Sequence, residues 1–586
     1  MRYRIRRALW ERRPEVIDAR YVARAERLPE ARWDHPGLAR LAAWHRTRRA
    51  EADALAVARD ALVGRFAFLG RSELLGAEVD WFREDFDRGT RLWKTHLHEF
   101  SYAIDLARAA AETGNREFGD RAFALARSWR DASPIGCRDF AMDVWNGRAV
   151  ATRILHWASA AAFHVEAGHP ADDLRWLGRE LGLHGLFLRD NLELDLRGNH
   201  LFRDAVGLVF AQELVGGVPD ALDWLQEQVV EQVLPDGGHY ERAPFYHAIC
   251  TRDLFETKLL LGDAAPAWLD AALAAMAGFL EAVVLGDGEI PLQGDGWLGE
   301  AVPPLLTALR AQLSPQPPER PDRHSGLAPL TAGAWRLVAR VGDHAPDEQM
   351  GHAHADLLSF DLSHRTTRVI TDTGTLSYDP GPDRQRVRST ASHNTVGVDG
   401  VEQLELWGSF RVGRRSRARV RAHGISGTWS WLCASHDAYR HLPGGPVPYR
   451  LWALGPEGLV VLDWVAGQGR HRLESHLHEH PNASDASVQI LPLDGDAEVS
   501  PAPLHERFGE TQSMRRHRLV SETQLPWAGG WWVGAGPLNP RAGALTHSEG
   551  RVTLALETPP THPQLGSPER RCAHLGLALP RVGRIC

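Results

Sequence analysis

From the start of the chain to about residue 312, apolar side chains recur at i, i+3, i+4 and i+7, the spacing that lines one face of a helix. The pattern is plain in 100-FSYAIDLARAAAETGN-115, 121-RAFALARSWRDA-132, 148-RAVATRILHWASAAAFHVEAG-168 and 221-ALDWLQEQVVEQVL-234. Gly, Asn, Asp and Pro punctuate it at 135-IGCRD-139, 197-RGN-199 and 235-PDGG-238, residues that stop one helix and open the next. Short helices without strand signals between them predict serial helical hairpins, arranged as a solenoid arc or a closed toroid. At 313-LSPQPPERPDRHSG-326 the periodicity gives way to Pro and charge, which reads as a linker. Beyond it the period becomes two, in 335-WRLVARVG-342, 357-LLSFDLS-363, 367-TRVITDTG-374, 394-NTVGVDG-400, 458-GLVVLDWVAG-467 and 551-RVTLALE-557. Many short, β-branched, turn-bounded strands predict an antiparallel sandwich. The chain thus divides into a helical domain over 1–312, a linker over 313–326 and a β domain over 327–586.

Polar residues interrupt this pattern in a few places. In 351-GHAHADLLSF-360, early in the β domain, a strand would put His352, His354 and Asp356 on one face while Leu357, Leu358 and Phe360 begin a core. A solvated face, a metal site and a catalytic histidine beside a metal ligand are all open readings. The segment 371–400 adds Asp372, Tyr378, Arg384, Arg386, Arg388, His393 and Asn394, and polar groups this dense in a sheet domain need partners or a ligand. In the helical half, Asn199 and His200 sit where a helix opens, and Asn199 has a plain N-cap reading. The turn 235–247 carries His239, Tyr240, Glu241, Arg242, Tyr246 and His247, while 93–100 and 143–153 contribute Trp93, His96, His98, Trp145, Asn146, Arg148 and Arg153. A toroid would display such inter-helix residues around one mouth as a substrate-binding surface. The alternating His476, His478 and His480 read as a solvated or hydrogen-bonded strand face rather than a metal site.

Composition narrows the function. A chain of 586 residues exceeds one ordinary core, and 43% hydrophobic with 24% charged residues is a globular balance. The net charge of −8 offers no basic excess for a nucleic-acid partner, yet a local Arg/His cleft would still take an acidic substrate. Five scattered cysteines without a C-x-x-C argue against a disulfide framework or a thiolate zinc site. The basic start MRYRIRRALWERRPEVIDAR has no apolar stretch behind it, so no signal peptide is read. A cytoplasmic location is expected, or a periplasmic or secreted one if the start is trimmed. The most apolar run, near residues 270–288, is broken by Asp270, Glu281 and Asp287, and no membrane insertion is expected. Trp is frequent, 21 copies against 8 Tyr, which suits core filling first and sugar stacking second. Oligomeric state is not legible.

Four stretches taken in order, 198-GNH-200, 236-DGGHYERAPFYH-247, 351-GHAHADLLSF-360, and 372-DTGTLSYD-379 with 388-RSTASHNTVGVDG-400, resemble the heparinase II/III-type polysaccharide lyases. The resemblance is strong from about 195 to 410 and implies an incomplete (α/α) toroid followed by an antiparallel β-sandwich. It also implies β-elimination at a 4-linked uronic acid of an acidic polysaccharide, with glycosaminoglycans such as hyaluronan, chondroitin sulfate and heparan sulfate ahead of alginate. That reaction needs donors on the uronate carboxylate, a base for the C5 proton and an acid for the departing O4. By motif, Asn199 and His200 would face the carboxylate and Tyr246 would protonate the leaving oxygen. His352 would be a base or carboxylate partner, and Tyr378 a further base or lid contact. His354, Asp372 and His393 match positions that hold a structural zinc in relatives, which would fix the loop carrying His352; Asp356 would be a structural hydrogen-bonder. Lys94, Arg148, Arg153, Arg242 and Arg388 are candidate contacts for carboxylates or sulfates.

Three rivals remain at this point. A glycoside hydrolase on the same toroid needs two carboxylates flanking the bond, for which Asp143, Asp236 and Glu241 are available. A cupin-like metalloenzyme expects a Glu shortly after the histidines, and 351-GHAHADLLSFDLSH-364 has none. A non-catalytic carbohydrate-binding protein would keep the same residues without the chemistry.

Overall fold

The computed structural model describes residues 10, 14–83, 91–137, 140–318, 324–535, 545–548, 551–557 and 572–577. Most of the basic start, Cys586 and residues 319–323 of the linker lie outside them.

Helices fill the first half, and their burial sorts them into two layers. Gly147–Glu166, Gly198–Leu214 and Pro244–Leu261 are buried nearly all round, as expected of helices surrounded by others. Arg116–Ala132 and Ala221–Gln232 bury one stripe and expose the rest. The chain-order neighbours pack in series, and the early helix Pro36–Arg48 packs on both Gly147–Glu166 and Pro244–Leu261, so the arc curves back on itself. Capping explains the boundaries: the Asn115 and Asn146 side chains accept from Glu117 N at 3.1 Å and Ala149 N at 2.8 Å, and Gly114 ends Ser101–Thr113 at φ 71°. A β-hairpin, Arg65–Phe68 with Arg71–Leu74, departs from the all-helical expectation. Its two turn residues, Leu69 and Gly70, both have positive φ, the conformation that matches strand twist.

The last helix of this half, Val302–Gln312, ends where the predicted linker begins, and strands start at Leu327. Two antiparallel sheets follow. One orders Ala418–Ser426, Trp429–His436, Val447–Gly455, Gly458–Ala466, Trp527–Gly534 and Gln489–Pro492. The other runs Glu498–Leu504, Gln512–Gln524, Arg470–Glu479, Thr367–Ile370, Phe360–His364, Trp335–Arg340 and Leu327–Ala332, with Val396–Val398 paired to Arg470–Glu479. Their inner faces share one core in which Trp335, Phe360 and Leu477 meet Trp452, Val461 and Trp531. A three-stranded sheet lies within 545–577. Among the described residues no helix is long and apolar enough to cross a membrane, and Cys137, Cys250 and Cys433 are free thiols.

The segment 351–359 is not a strand. Residues 351–359 form a loop, and strand geometry begins at Phe360. Leu358 sits at φ 60°, which a strand cannot accommodate. The loop holds its shape through side chains: Asp356 accepts from Arg340 Nε at 2.8 Å and from Gly294 N at 3.0 Å. Arg340 also donates to the Arg242 carbonyl at 2.8 Å, tying the β half to the helical turn.

Candidate active site

Both halves contribute to one cluster. Tyr246, in the first turn of Pro244–Leu261, comes from the helical half; His352 and Tyr378 come from loops of the β half. The Tyr246 and Tyr378 hydroxyls are 2.7 Å apart, and the His352 ring stacks on Tyr246 with centroids 3.8 Å apart. Burial, then the Asp295 charge, pushes both phenols above their usual range, so both are neutral and able to donate. Trp297, Phe410 and Phe508 pack around Tyr378 and supply an apolar wall.

Beneath this cluster lies Asp295, fully buried. Its Oδ2 accepts from His352 Nδ1 at 2.9 Å and Arg384 Nη2 at 2.8 Å. Its Oδ1 accepts from His354 Nε2 at 2.9 Å, Thr375 Oγ1 at 3.3 Å and Arg384 Nη1. Burial works against ionisation, but the Arg384 charge and the two histidine hydrogen bonds hold the Asp295 carboxyl well below the usual range. With the His352 Nδ1–H spent on Asp295, Nε2 keeps its lone pair for a ligand.

Opposite sits the pair 199–200. The helix opens at Gly198, with Arg197 as its N-cap residue, so Asn199 is not the cap. Instead its backbone N–H and side-chain amide hold Glu241, with Asn199 N 2.9 Å from Oε1 and Nδ2 3.1 Å from each oxygen. A primary amide has two N–H donors, so one remains for a ligand. Gly198 has φ 58°, and a Cβ there would stand 1.9 Å from Glu241 Oε1. His200 Nδ1 donates to Glu193 Oε2 at 3.0 Å, leaving Nε2 to the cleft. Glu193 also accepts from Arg148 N at 2.9 Å, and its own N–H donates to the buried Asp204 at 2.8 Å.

The three expected metal ligands are adjacent. His354 and His393 have ring centroids 5.4 Å apart, and His393 Nδ1 lies 2.8 Å from Asp372 Oδ2. His354 Nδ1 and His393 Nε2 are buried without a hydrogen-bond partner. Burial lowers the His354 imidazole to about 3, keeping its ring neutral. Two imidazoles each ~2.0 Å from a shared tetrahedral ion would have centroids about 5 Å apart, which the observed spacing fits. Among the described residues no group of three or more His, Cys, Asp or Glu gathers in metal-holding geometry; in this conformation Asp372 Oδ2 is taken up by His393.

The expected substrate surface divides. His96 and Arg148 converge on Glu99 at 2.9 and 3.0 Å and remain partly exposed. Asn146 is the cap of Gly147–Glu166. Trp93, His98 and Trp145 are buried in the packed interior rather than on a cleft wall, and Trp93 donates to Arg71 O, Trp129 to His98 and Trp145 to Ser133 O, each at 3.0 Å. Arg388 is likewise buried, donating to the carbonyls of Ala353, Gly408 and Ser409, and Arg242 faces a different groove. The strand histidines are buried rather than solvated, with His478 bonded to Asn394 and His480 to Glu506. Asp295 and Glu193 escaped the sequence reading; the only local signal for Asp295 is a carboxylate between glycines, 293-QGDG-296, closing an apolar run.

The heparinase II/III N-terminus family model matches residues 39–303, and the heparinase II/III-like C-terminal model matches 315–547. Among solved structures, a heparinase III aligns with a TM-score of 0.65 at 14% identity, over 94% of this chain and 99% of that one. The heparan sulfate lyase HepC from Pedobacter heparinus aligns with a TM-score of 0.55 at 15% identity, over 97% and 95%. No curated protein matches the chain. The likeness bears out the toroid-plus-sandwich expectation.

Proposed function

Because this chain belongs to the heparinase II/III family, we propose that it is a polysaccharide lyase that cleaves a 4-linked uronate in a glycosaminoglycan by β-elimination, with heparan sulfate the first candidate. The observation that carries this reading is the stacked His352–Tyr246–Tyr378 group, which sets a free imidazole lone pair beside a neutral phenol. Asn199 donates its free amide N–H to the uronate carboxylate, beside His200, which makes the C5 proton more acidic. His352 Nε2 takes that proton, the C–H electrons form the C4–C5 double bond, and the C4–O4 bond breaks. Tyr246, held by its hydrogen bond to Tyr378, gives its hydroxyl proton to O4, and the proton that His352 took from C5 returns to the Tyr246 oxygen once the product leaves. The product carries a 4,5-unsaturated uronate.

A hydrolase is disfavoured by the same geometry. The carboxylates nearest the cluster, Glu241 and Asp295, are buried and occupied by Asn199, His352, His354 and Arg384, so neither is placed to activate water. We assign a zinc ion to His354, His393 and Asp372; bound there, it would fix the 351–359 loop that carries His352.

The test is near-ultraviolet absorbance over time with hyaluronan, chondroitin sulfates, heparan sulfate, alginate and polygalacturonate. A rise reports the conjugated double bond, and the responsive polymer names the substrate. Reducing ends without a rise would mean hydrolysis.

A further inference from the structure

The sequence 415-RSRARVRAH-423 places a basic residue at every second position, in a chain whose net charge is −8. From Ala418 it forms the outer strand of the six-stranded sheet, Ala418–Ser426. Arg419, Arg421 and His423 are exposed there. The register shifts between Val420 and Ala422, so Arg421 is the extra residue of a bulge, a device that re-aims a side chain. Across from this strand lie Arg242, His324 and Asp343, and the groove between them encloses about 660 Å³.

The acids nearby are already engaged. Asp343 lies 3.2 Å from Arg417 and 3.7 Å from Arg242, and Asp347 lies 2.6 Å from Arg415 and 3.5 Å from Arg417. Among the described residues no carboxylate pairs with Arg419 or Arg421; Arg421 Nε donates to Ser435 Oγ at 2.7 Å. Arg242 Nε is buried without a hydrogen-bond partner. Charge on an edge strand also guards against strand-to-strand aggregation, but that role does not account for Arg242 and His324 on the facing wall.

We infer that this groove is a second binding site, which holds the acidic polysaccharide outside the catalytic cleft. The inference rests on the polysaccharide reading above. A linear row of guanidinium forks suits the carboxylates and sulfates of a linear sugar polymer. Single-stranded nucleic acid would need aromatic platforms for its bases, and no Phe, Tyr or Trp lines the groove. Arg242 adjoins Glu241, the residue that holds Asn199, so the groove starts one residue along the chain from the reaction centre.

The test compares the full chain carrying Arg419→Ala and Arg421→Ala with a charge-matched control, Arg175→Ala and Arg179→Ala, on the helical half. Both are made in a Tyr246→Phe background so that polymer is not consumed, and fluorescein-labelled heparan sulfate is titrated by anisotropy. The groove variant should lose affinity on the order of tenfold, with the loss shrinking as salt is added, while the control binds like its parent. Equal affinity in the groove variant, or equal loss in the control, would overturn the assignment. Competition by single-stranded DNA as effective as by unlabelled heparan sulfate would also overturn it, marking a general polyanion surface. Melting curves check that the variants fold. The unsubstituted chain is run in parallel for the absorbance rise, so failure of the lyase reading shows there and leaves the binding result separate.

Discussion

Asp295→Asn tests the centre of the site, because it keeps the shape and removes the charge. Each Asp295 oxygen accepts at least two hydrogen bonds, from His354, Thr375 and Arg384 on one side and His352 and Arg384 on the other. Replacing either oxygen with NH2 strands two or more buried donors, at about 1–3 kcal/mol for each unsatisfied group. It also leaves the fully buried Arg384 without its counterion, and breaking such a pair from one side costs about 3–5 kcal/mol. These costs overlap, so a net destabilisation of roughly 4 kcal/mol is expected. His352 loses the acceptor that fixes its tautomer, and kcat should fall about 10²–10³-fold, within the range for a displaced general base. KM should change little, since Asp295 does not face the cleft. Calorimetry and the absorbance assay read the two effects. A second variant, Asp295→Asn with Arg384→Gln, removes the stranded charge and should recover part of the stability without recovering turnover. Wild-type melting in the single variant, or restored turnover in the double, would refute the role given to Asp295.

Four further outcomes are expected. Tyr246→Phe should lower kcat by at least about 10²-fold with little change in melting, because it removes one hydroxyl at a partly exposed neighbour, Tyr378; near-normal turnover would falsify its assignment as the acid. Gly198→Ala should cost about 1–3 kcal/mol of strain and lower kcat/KM roughly tenfold by displacing Glu241 and Asn199, so an unchanged steady-state rate would sink the Glu241 clamp. Burial and the neighbouring Glu193 charge hold the Asp204 carboxyl well above its ordinary value. The folded state therefore keeps a proton that the unfolded chain has lost, and stability falls as pH rises between the ordinary and the raised values; Asp204→Asn should melt like wild type in acid, below the ordinary carboxylate value, and higher than wild type as pH rises, as melting temperature against pH will show. Chelation should lower activity and melting temperature together and release about one zinc per chain by elemental analysis, whereas a metal-free, fully active and equally stable protein would exclude the assignment.

The two-domain plan was legible because the hydrophobic period changes from 3.6 to 2 across the Pro-rich stretch, a signal carried by dozens of residues. Tyr246, His352 and Tyr378 lie in polar clusters at turns, but the family resemblance, not the clustering, singles them out. Asp295 did not, since its meaning lies in partners 57 and 89 positions away and nothing near it in sequence points to them. Trp93 and Trp145 read as part of a substrate-binding mouth because they fall near loops between predicted helices, and that position does not show that neighbouring helices bury them. The 351–360 alternation misled for a related reason: a loop pinned by Asp356 and Arg340 shows the same spacing of polar side chains as a strand.

The division of the site between two domains bears on how the protein is made. Synthesis delivers Asn199, His200, Tyr246 and Asp295 first, and the helical half can close before His352 and Tyr378 leave the ribosome. At that stage the chain holds the proposed proton donor without the proposed base, and Asp295 lacks Arg384, His352 and His354. A chain halted there would lack half of the proposed catalytic group, and the second domain brings with it every side chain that pairs with the buried Asp295.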